Sequence, residues 1–220
     1  MNSMICGVDE AGRGPVIGPM VIAGVNVEDE ESLHSLGLKD SKQLAPSRRE
    51  YLADRIKKIV SSYEILVVSA DDIDDMRRVM TMNELEVYLF SRVVEKLKPD
   101  VCYVDAADVN DSRFARNILS NLSFKPRVIA RHKADSIYPI VSAASILAKT
   151  RRDQEIRRIA KELEDKLGKP LGSGYPADPV TREFLSNWLK TYGDLPPYVR
   201  RSWKTVENLL REHHTRKLDI

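Results

Sequence analysis

Gly7-Val8-Asp9-Glu10-Ala11-Gly12-Arg13-Gly14-Pro15 is the stretch on which the reading of the whole chain turns. It continues Met4-Ile5-Cys6, so an apolar run from Met4 to Val8, read as a short buried strand, ends in two carboxylates. Gly12, Gly14 and Pro15 mark the turn that follows. Successive strand residues point to opposite faces, so Asp9 and Glu10 are expected to serve one site only if the chain is already leaving the sheet at Glu10. Gly12 and Gly14 carry no Cβ and let main-chain N–H and C=O groups come close to a ligand. Arg13 between them adds a planar donor fork suited to phosphate. Taken alone, the stretch reads as a strand, a tight turn and a solvated acid pair, and only the rest of the chain turns the reading toward a site.

With 220 residues, 42% of them apolar, the chain can bury the core of one substantial domain with a smaller appendage. The net charge of +2 hides 35 basic and 33 acidic residues, so only local patches bear on partners. No apolar window reaches the roughly eighteen residues of a membrane span, and no basic stretch followed by an apolar region opens the sequence. A soluble, cytoplasmic protein without a membrane partner is expected. Cys6 and Cys102 lie in apolar runs and read as buried free thiols rather than a disulfide framework.

Val16 to Val27, nearly all apolar and broken by Gly18, Pro19 and Gly24, predicts a second strand paired with the first. Glu28 to Glu31 reads as a solvated turn. Lys42 sits in Leu38-Lys39-Asp40-Ser41-Lys42-Gln43-Leu44, ahead of Pro46 and a helical stripe through Leu52, Ile56 and Ile59. Tyr63 to Ala70 predicts a third strand. The acids Asp71, Asp72, Asp74 and Asp75 after it fit the start of a helix better than a metal cluster. A helix over 82–98, a strand over 101–104 ending at Asp105, a helix over 112–122 and a strand over 127–130 follow. Asp135 stands at the next boundary, where Ser136 is expected to cap, and Pro139 to sit in the first turn of, a broken or bent helix from about Ile137 to Leu167.

Strands alternating with helices after a hairpin-like pair predict a mixed α/β sheet flanked by helices, with ligands gathering beyond the strand ends. That places Asp9, Glu10, Asp105 and Asp135 around one point. From Gly168 the glycines and prolines up to Pro179 make a loop-rich connector, and 181–192 and 202–211 look helical. The expected division is 1–167 and 168–220. Arg200, Arg201, Lys204, Arg211, Arg216 and Lys217 give the C-terminal part a basic face that can guide a polyanion.

Converging acids without matching cations repel one another, and a hard divalent ion is the simplest occupant. All-oxygen ligation without zinc-type Cys/His spacing points to Mg²⁺ or Mn²⁺. His132 reads as structural or phosphate-adjacent. Two such ions about 4 Å apart activate a water and stabilise a leaving 3′-oxygen in phosphodiester hydrolysis. Asp9 is the expected bridging ligand, with Glu10, Asp105 and Asp135 completing the set.

The motifs Gly-Val-Asp9-Glu10-Ala-Gly-Arg-Gly-Pro, Leu-Lys-Asp-Ser-Lys42, Tyr-Val-Asp105, His-Lys-Ala-Asp135-Ser and Gly-Ser-Gly-Tyr175-Pro resemble, in this order, type 2 ribonuclease H (ribonuclease HII), in its single-chain archaeal form. The resemblance spans nearly the whole chain. It implies an RNase H-like five-stranded sheet with a small C-terminal helical domain, and Mg²⁺- or Mn²⁺-dependent endonucleolytic cutting of RNA in RNA–DNA hybrids. It also implies incision on the 5′ side of a single ribonucleotide in duplex DNA, by a monomer. Gly12-Arg13-Gly14 would read the 2′-hydroxyl, Tyr175 would stack on the following deoxynucleotide sugar, and Lys42 would touch phosphate. Bare glycine backbone reaching a 2′-hydroxyl makes chemical sense, since that group alone separates RNA from DNA there. Some members bind a sliding clamp through a C-terminal peptide, but Thr215-Arg216-Lys217-Leu218-Asp219-Ile220 lacks the glutamine and paired aromatics of such a motif. The rival readings are an RNase H-like nuclease acting on DNA and a hybrid-binding module without catalysis.

Overall fold

The protein is described from a computed structural model, over residues 3–38 and 44–218, with helix side chains followed as far as His213. A five-stranded sheet in the order β3-β2-β1-β4-β5 carries the fold. Its strands are β1 (Ile5–Ala11), β2 (Met20–Val27), β3 (Ser62–Val68), β4 (Val101–Asp105) and β5 (Arg127–Arg131). β1 and β2 are antiparallel, from Ile5 opposite Val27 to Ala11 opposite Val21, while β4 runs parallel to β1 and β5 parallel to β4. The sheet is therefore mixed, as the alternation of apolar runs and helical stripes predicts. Every residue of β2 is buried, which suits its unbroken apolar sequence.

The helices are α1 (Glu31–His34), α2 (Pro46–Ile59), α3 (Ala70–Arg77), α4 (Met82–Leu97), α5 (Asp111–Ser120), α6 (Ala134–Ile137), α7 (Pro139–Leu167), α8 (Pro179–Tyr192) and α9 (Lys204–Leu218). Their ends follow local chemistry. Thr81 and Glu84 form a reciprocal capping box at the start of α4, and Ser69 and Asp72 form another at α3. The acids after β3 thus begin a helix, as expected. α7 is lined at its start by buried Ala143, Ala144 and Ala148, which let it approach its neighbours closely. Ser142 donates to the Leu38 carbonyl at 2.7 Å, so its place among small residues is a packing role.

Several boundaries differ from the sequence reading, and three have a clear local cause. β2 begins at Met20 rather than Val16, because Gly18 at φ 93° and Pro19 break the run, and Ile17 instead makes an isolated bridge to Val199. The long helix begins at Pro139, and Ser136 lies inside the separate short α6; Tyr138, in an extended conformation, divides the two. Glu31, expected in a turn, opens the four-residue α1.

The chain forms two compact units. The first comprises residues up to Ala11, Val21–Val67 and Met80–Asp153. The second comprises Gly12–Met20, Val68–Val79 and the chain from Gln154 onward. The sheet belongs to the first, with a core that includes Val21, Val25, Leu52, Ile56 and Leu147. The second has its own core, built around Ile17, Leu163, Phe184, Trp188, Val199 and Val206.

Gly7 shows how tightly the first unit closes. A Cβ there would fall 2.5 Å from the main-chain carbon and oxygen of Ile140, at the start of α7. At Gly24 a Cβ would meet only side-chain ends, Val93 Cγ1 at 2.5 Å and Leu97 Cδ1 at 2.7 Å. Side chains yield more readily than backbone, so Gly7→Ala is expected to cost more than Gly24→Ala, about 3 kcal/mol or more against about 1–3 kcal/mol. Urea unfolding of the two variants measures the order directly, and equal midpoints would contradict it.

Candidate active site

The pairing of β1 with β4 ends at Val8 opposite Val104, so Asp9 and Asp105 are the next residues along two neighbouring parallel strands. Both are delivered to the same sheet edge by apolar strand sequence. Asp105 Oδ1 accepts a hydrogen bond from the Ala134 N–H at 3.0 Å, which brings the start of α6, and with it Asp135, to that edge. One ligand oxygen from each of Asp9, Asp105 and Asp135 lies within 4.8 Å of the others. Asp9 and Asp135 are each only 4% exposed.

Such a cluster is electrostatically unfavourable on its own. Burial pushes the Asp9 carboxyl well above its usual range, and the charges of Glu10 and Asp105 push the same way; Ser145 and the Lys149 ammonium oppose them. Lys149 Nζ stands 4.0 Å from Asp135 Oδ2, the local cation among these acids. Glu10 is raised to about 7, first by burial, then by Glu86 and Asp105. Its Oε2 is buried without a hydrogen-bond partner among the described residues. Hard oxygen donors that repel one another, one of them with an unsatisfied oxygen, fit a divalent cation of the Mg²⁺ or Mn²⁺ kind.

The sequence reading has Glu10 join Asp9 in one site only if the chain is leaving the sheet there. The strand does not leave the sheet at this residue: Glu10 still pairs opposite Ile22 and Ala11 opposite Val21. Alternation therefore holds. Asp9 feels Ser145 and Lys149 of α7, whereas the strongest charge acting on Glu10 is Glu86 of α4. The tight oxygen set contains three aspartates, with Glu10 beside it rather than in it. Glu86 was missed by the sequence reading, although it is fully buried. The spacing held the signal: Glu86 falls on the same face as Phe90 and Val93, at i+4 and i+7.

In the second unit, Gly12 at φ 85° is buried in a turn whose Arg13 and Gly14 are exposed. A Cβ on Gly14 would lie 3.7 Å from Tyr175 Cε1, so the tyrosine ring flanks this turn, itself 43% exposed. Tyr175 is carried by a knot of hydrogen bonds. Asp178 accepts from the Ser173 N–H at 2.7 Å, the Ser173 hydroxyl at 2.6 Å and the Val180 N–H at 2.9 Å. Thr181 Oγ1 accepts from the Gly174 N–H at 2.9 Å and donates to the Leu171 carbonyl at 3.0 Å. Lys42 lies outside the described residues. His132 has a ring nitrogen 3.2 Å from the Val109 carbonyl, a structural contact. Cys6 and Cys102 are buried and unbridged, as expected.

The sheet order and the carboxylates at its edge define the RNase H-like class of nucleases. Solved structures agree: the ribonuclease H2 of Pyrococcus horikoshii superposes with a TM-score of 0.87 at 46% identity, over 96% of this chain and 99% of that one. The ribonuclease HII of Archaeoglobus fulgidus, solved as a complex with PCNA, does so at 0.84 and 45%, over 93% and 96%. The sequence model of ribonuclease HII matches residues 6–206, and ribonuclease HII of Methanosarcina barkeri is 51% identical over 95% of this chain and 96% of its own. The chain belongs to the ribonuclease HII family. It is a metal-dependent endoribonuclease of the ribonuclease H type, acting on RNA–DNA hybrids, as the motif order implies. Among the described residues no helix is long and apolar enough to cross a membrane.

The Asp178 knot has a pH signature. Its hydrogen bonds hold the carboxyl at about 2, below the usual 3.8. A carboxyl depressed by folding stabilises the fold above its unfolded value and loses that contribution as pH falls toward the folded one. Asp178→Asn is therefore expected to melt below the wild type at neutral pH, with the gap closing between about pH 4 and about pH 2. Thermal unfolding across that range tests it; a gap that persists unchanged at pH 2 contradicts it.

Proposed function

We propose that the enzyme cuts the RNA strand of RNA–DNA hybrids and also incises 5′ of a single ribonucleotide embedded in duplex DNA, leaving 5′-phosphate and 3′-hydroxyl ends. The observation that carries the reading is the convergence of Asp9, Asp105 and Asp135, from three separate parts of the chain, within 4.8 Å. Those residues, with Glu10, would hold two Mg²⁺ or Mn²⁺ ions. When bound, such ions supply Lewis-acid activation of water and stabilisation of the leaving oxygen. The protein's part is to keep the carboxylates in place and oriented. β1 carries Asp9 and α6 carries Asp135, while the Ala134 N–H holds Asp105.

Selectivity is assigned to the second unit. The Gly12-Arg13-Gly14 turn follows Glu10 by one residue, and its main chain would meet the 2′-hydroxyl, with the Arg13 fork on phosphate. Tyr175, flanking that turn, would stack on the sugar of the next deoxynucleotide. Lys42 is retained as a phosphate contact on the motif resemblance alone. The organisation into a catalytic region over 1–167 and a substrate-binding region over 168–220 belongs to the same proposal, as do action as a monomer and a cytoplasmic location. A sliding-clamp partner rests on one support, the Archaeoglobus relative solved with PCNA.

Cleavage of duplex DNA holding one ribonucleotide, with and without Mg²⁺, tests the reading. Asp9→Asn is expected to lower kcat by about 10³-fold or more, since several kcal/mol of charge stabilisation depend on the ions it would hold. Tyr175→Ala is expected to keep hybrid cleavage and lose preference for the single ribonucleotide. Wild type that leaves the ribonucleotide-containing strand whole under Mg²⁺ and Mn²⁺ alike would overturn the incision activity.

A further inference from the structure

Arg200 is the largest side chain in the described part of the protein with no solvent exposure. A guanidinium stays charged at any working pH and cannot be buried cheaply without acceptors. Three of its nitrogens each donate to a different carbonyl: Nη2 to Gly12 at 2.6 Å, Nη1 to Arg13 at 2.9 Å and Nε to Gly18 at 3.0 Å. Its guanidinium carbon also stands 4.8 Å from the centre of the Trp203 ring, whose Nε1–H donates to the Gly14 carbonyl at 3.2 Å. The carbonyls of Gly12, Arg13 and Gly14 are thus all engaged by two side chains three residues apart.

The consequence follows from the peptide group. It is planar and trans, so its N–H points opposite to its C=O. Holding the Gly12 and Arg13 carbonyls against Arg200 turns the N–H groups of Arg13 and Gly14 away from it. The segment that carries Arg200 is fixed in turn. Asp74 of α3 accepts from the Arg201 N–H at 2.6 Å, the Ser202 N–H at 3.0 Å and the Ser202 hydroxyl at 2.6 Å. The Arg200 N–H donates to Val16, and the Gly18 N–H donates to Tyr198, a non-glycine residue held at φ 70°. Such a residue persists where its surroundings over-determine it.

We propose that Arg200, assisted by Trp203, is a positioning residue that sets how the Gly12-Arg13-Gly14 turn presents its peptide groups to a 2′-hydroxyl, and so controls selectivity for an isolated ribonucleotide. The inference rests on the reading that this turn contacts the 2′-hydroxyl. A lone ribonucleotide offers one such hydroxyl and requires the turn to be in register. A continuous hybrid offers one at every position, so a displaced turn finds a substitute.

The test is the ratio of kcat/KM for duplex DNA with one ribonucleotide to that for an RNA–DNA hybrid, measured on the full chain alongside thermal melting. Arg200→Lys keeps the charge and loses the planar fork. It is expected to lower the ratio roughly tenfold to a hundredfold, the scale of a 1 Å misplacement. Trp203→Phe, which removes only the donor to Gly14, moves it the same way by less. A purely structural role would reduce both substrates by one factor, and an unchanged ratio in folded Arg200→Lys overturns the proposal. If Arg200→Lys shows no cooperative melt, Trp203→Phe decides: an unchanged ratio overturns it, a lowered one supports it. Gly12→Ala separates the two levels, because its φ of 85° strains any Cβ-bearing residue. An unchanged ratio in folded Gly12→Ala removes the reading of the turn, and this inference with it. A ratio changed there but unchanged in the Arg200 and Trp203 variants removes the inference alone.

Discussion

Mutual repulsion among buried carboxylates is the constraint on which the rest of this structure depends. Asp9, Asp105 and Asp135 are held within 4.8 Å at a site where two of them are almost fully enclosed. A flexible chain would relieve this by turning one acid toward water. Here each acid is part of an ordered element, β1, β4 or the short α6, and the elements are locked by strand pairing and by the Ala134 to Asp105 hydrogen bond. The fold stores an affinity for cations by denying the carboxylates an escape. The parallel β1–β4 pair is what makes this economical, since two strands running the same way deliver Asp9 and Asp105 to the same edge.

Much of that was legible in the amino-acid order, for a physical reason. An apolar run that stops at a carboxylate marks both a strand and its edge, and it does so at Asp9 and Asp105; Asp135 was found by the boundary it occupies. What the order could not disclose is facing. Whether Glu10 joins Asp9 depends on whether β1 ends one residue earlier or later, and pairing with β2 carries it through Ala11. Glu86 was legible in principle from its place on the buried stripe of α4. Arg200 was not: in a run of basic residues it looks like its solvated neighbours, and only tertiary packing separates a guanidinium that holds backbone from one that faces water. The late start of β2 belongs to the same class, because Val16 and Ile17 are as apolar as the strand itself and are claimed instead by Gly174 and Val199.

The second unit works by a different principle from the first. The turn proposed to read substrate is main chain, and main chain at a glycine turn has no shape of its own; glycine permits the conformation without selecting it. Selection comes from side chains that grip the backbone from within. Arg200 and Trp203 do so at Gly12-Arg13-Gly14, and Asp178 and Thr181 do so on either side of Tyr175. In both places a polar side chain is spent on peptide groups of its own protein.

The covalent join between the units gives this arrangement its force. Ala11 is the last residue of β1 and Gly12 the first of the turn, so the strand that bears two of the acids runs straight into the backbone assigned to substrate reading. On the proposed reading, chemistry and discrimination belong to one segment, although they rest on different physics: charge confined among rigid elements on one side, and peptide dipoles aimed by buried donors on the other. On the role proposed for it, Arg200 bears on the second alone, altering which substrate is chosen while leaving the acids as they were.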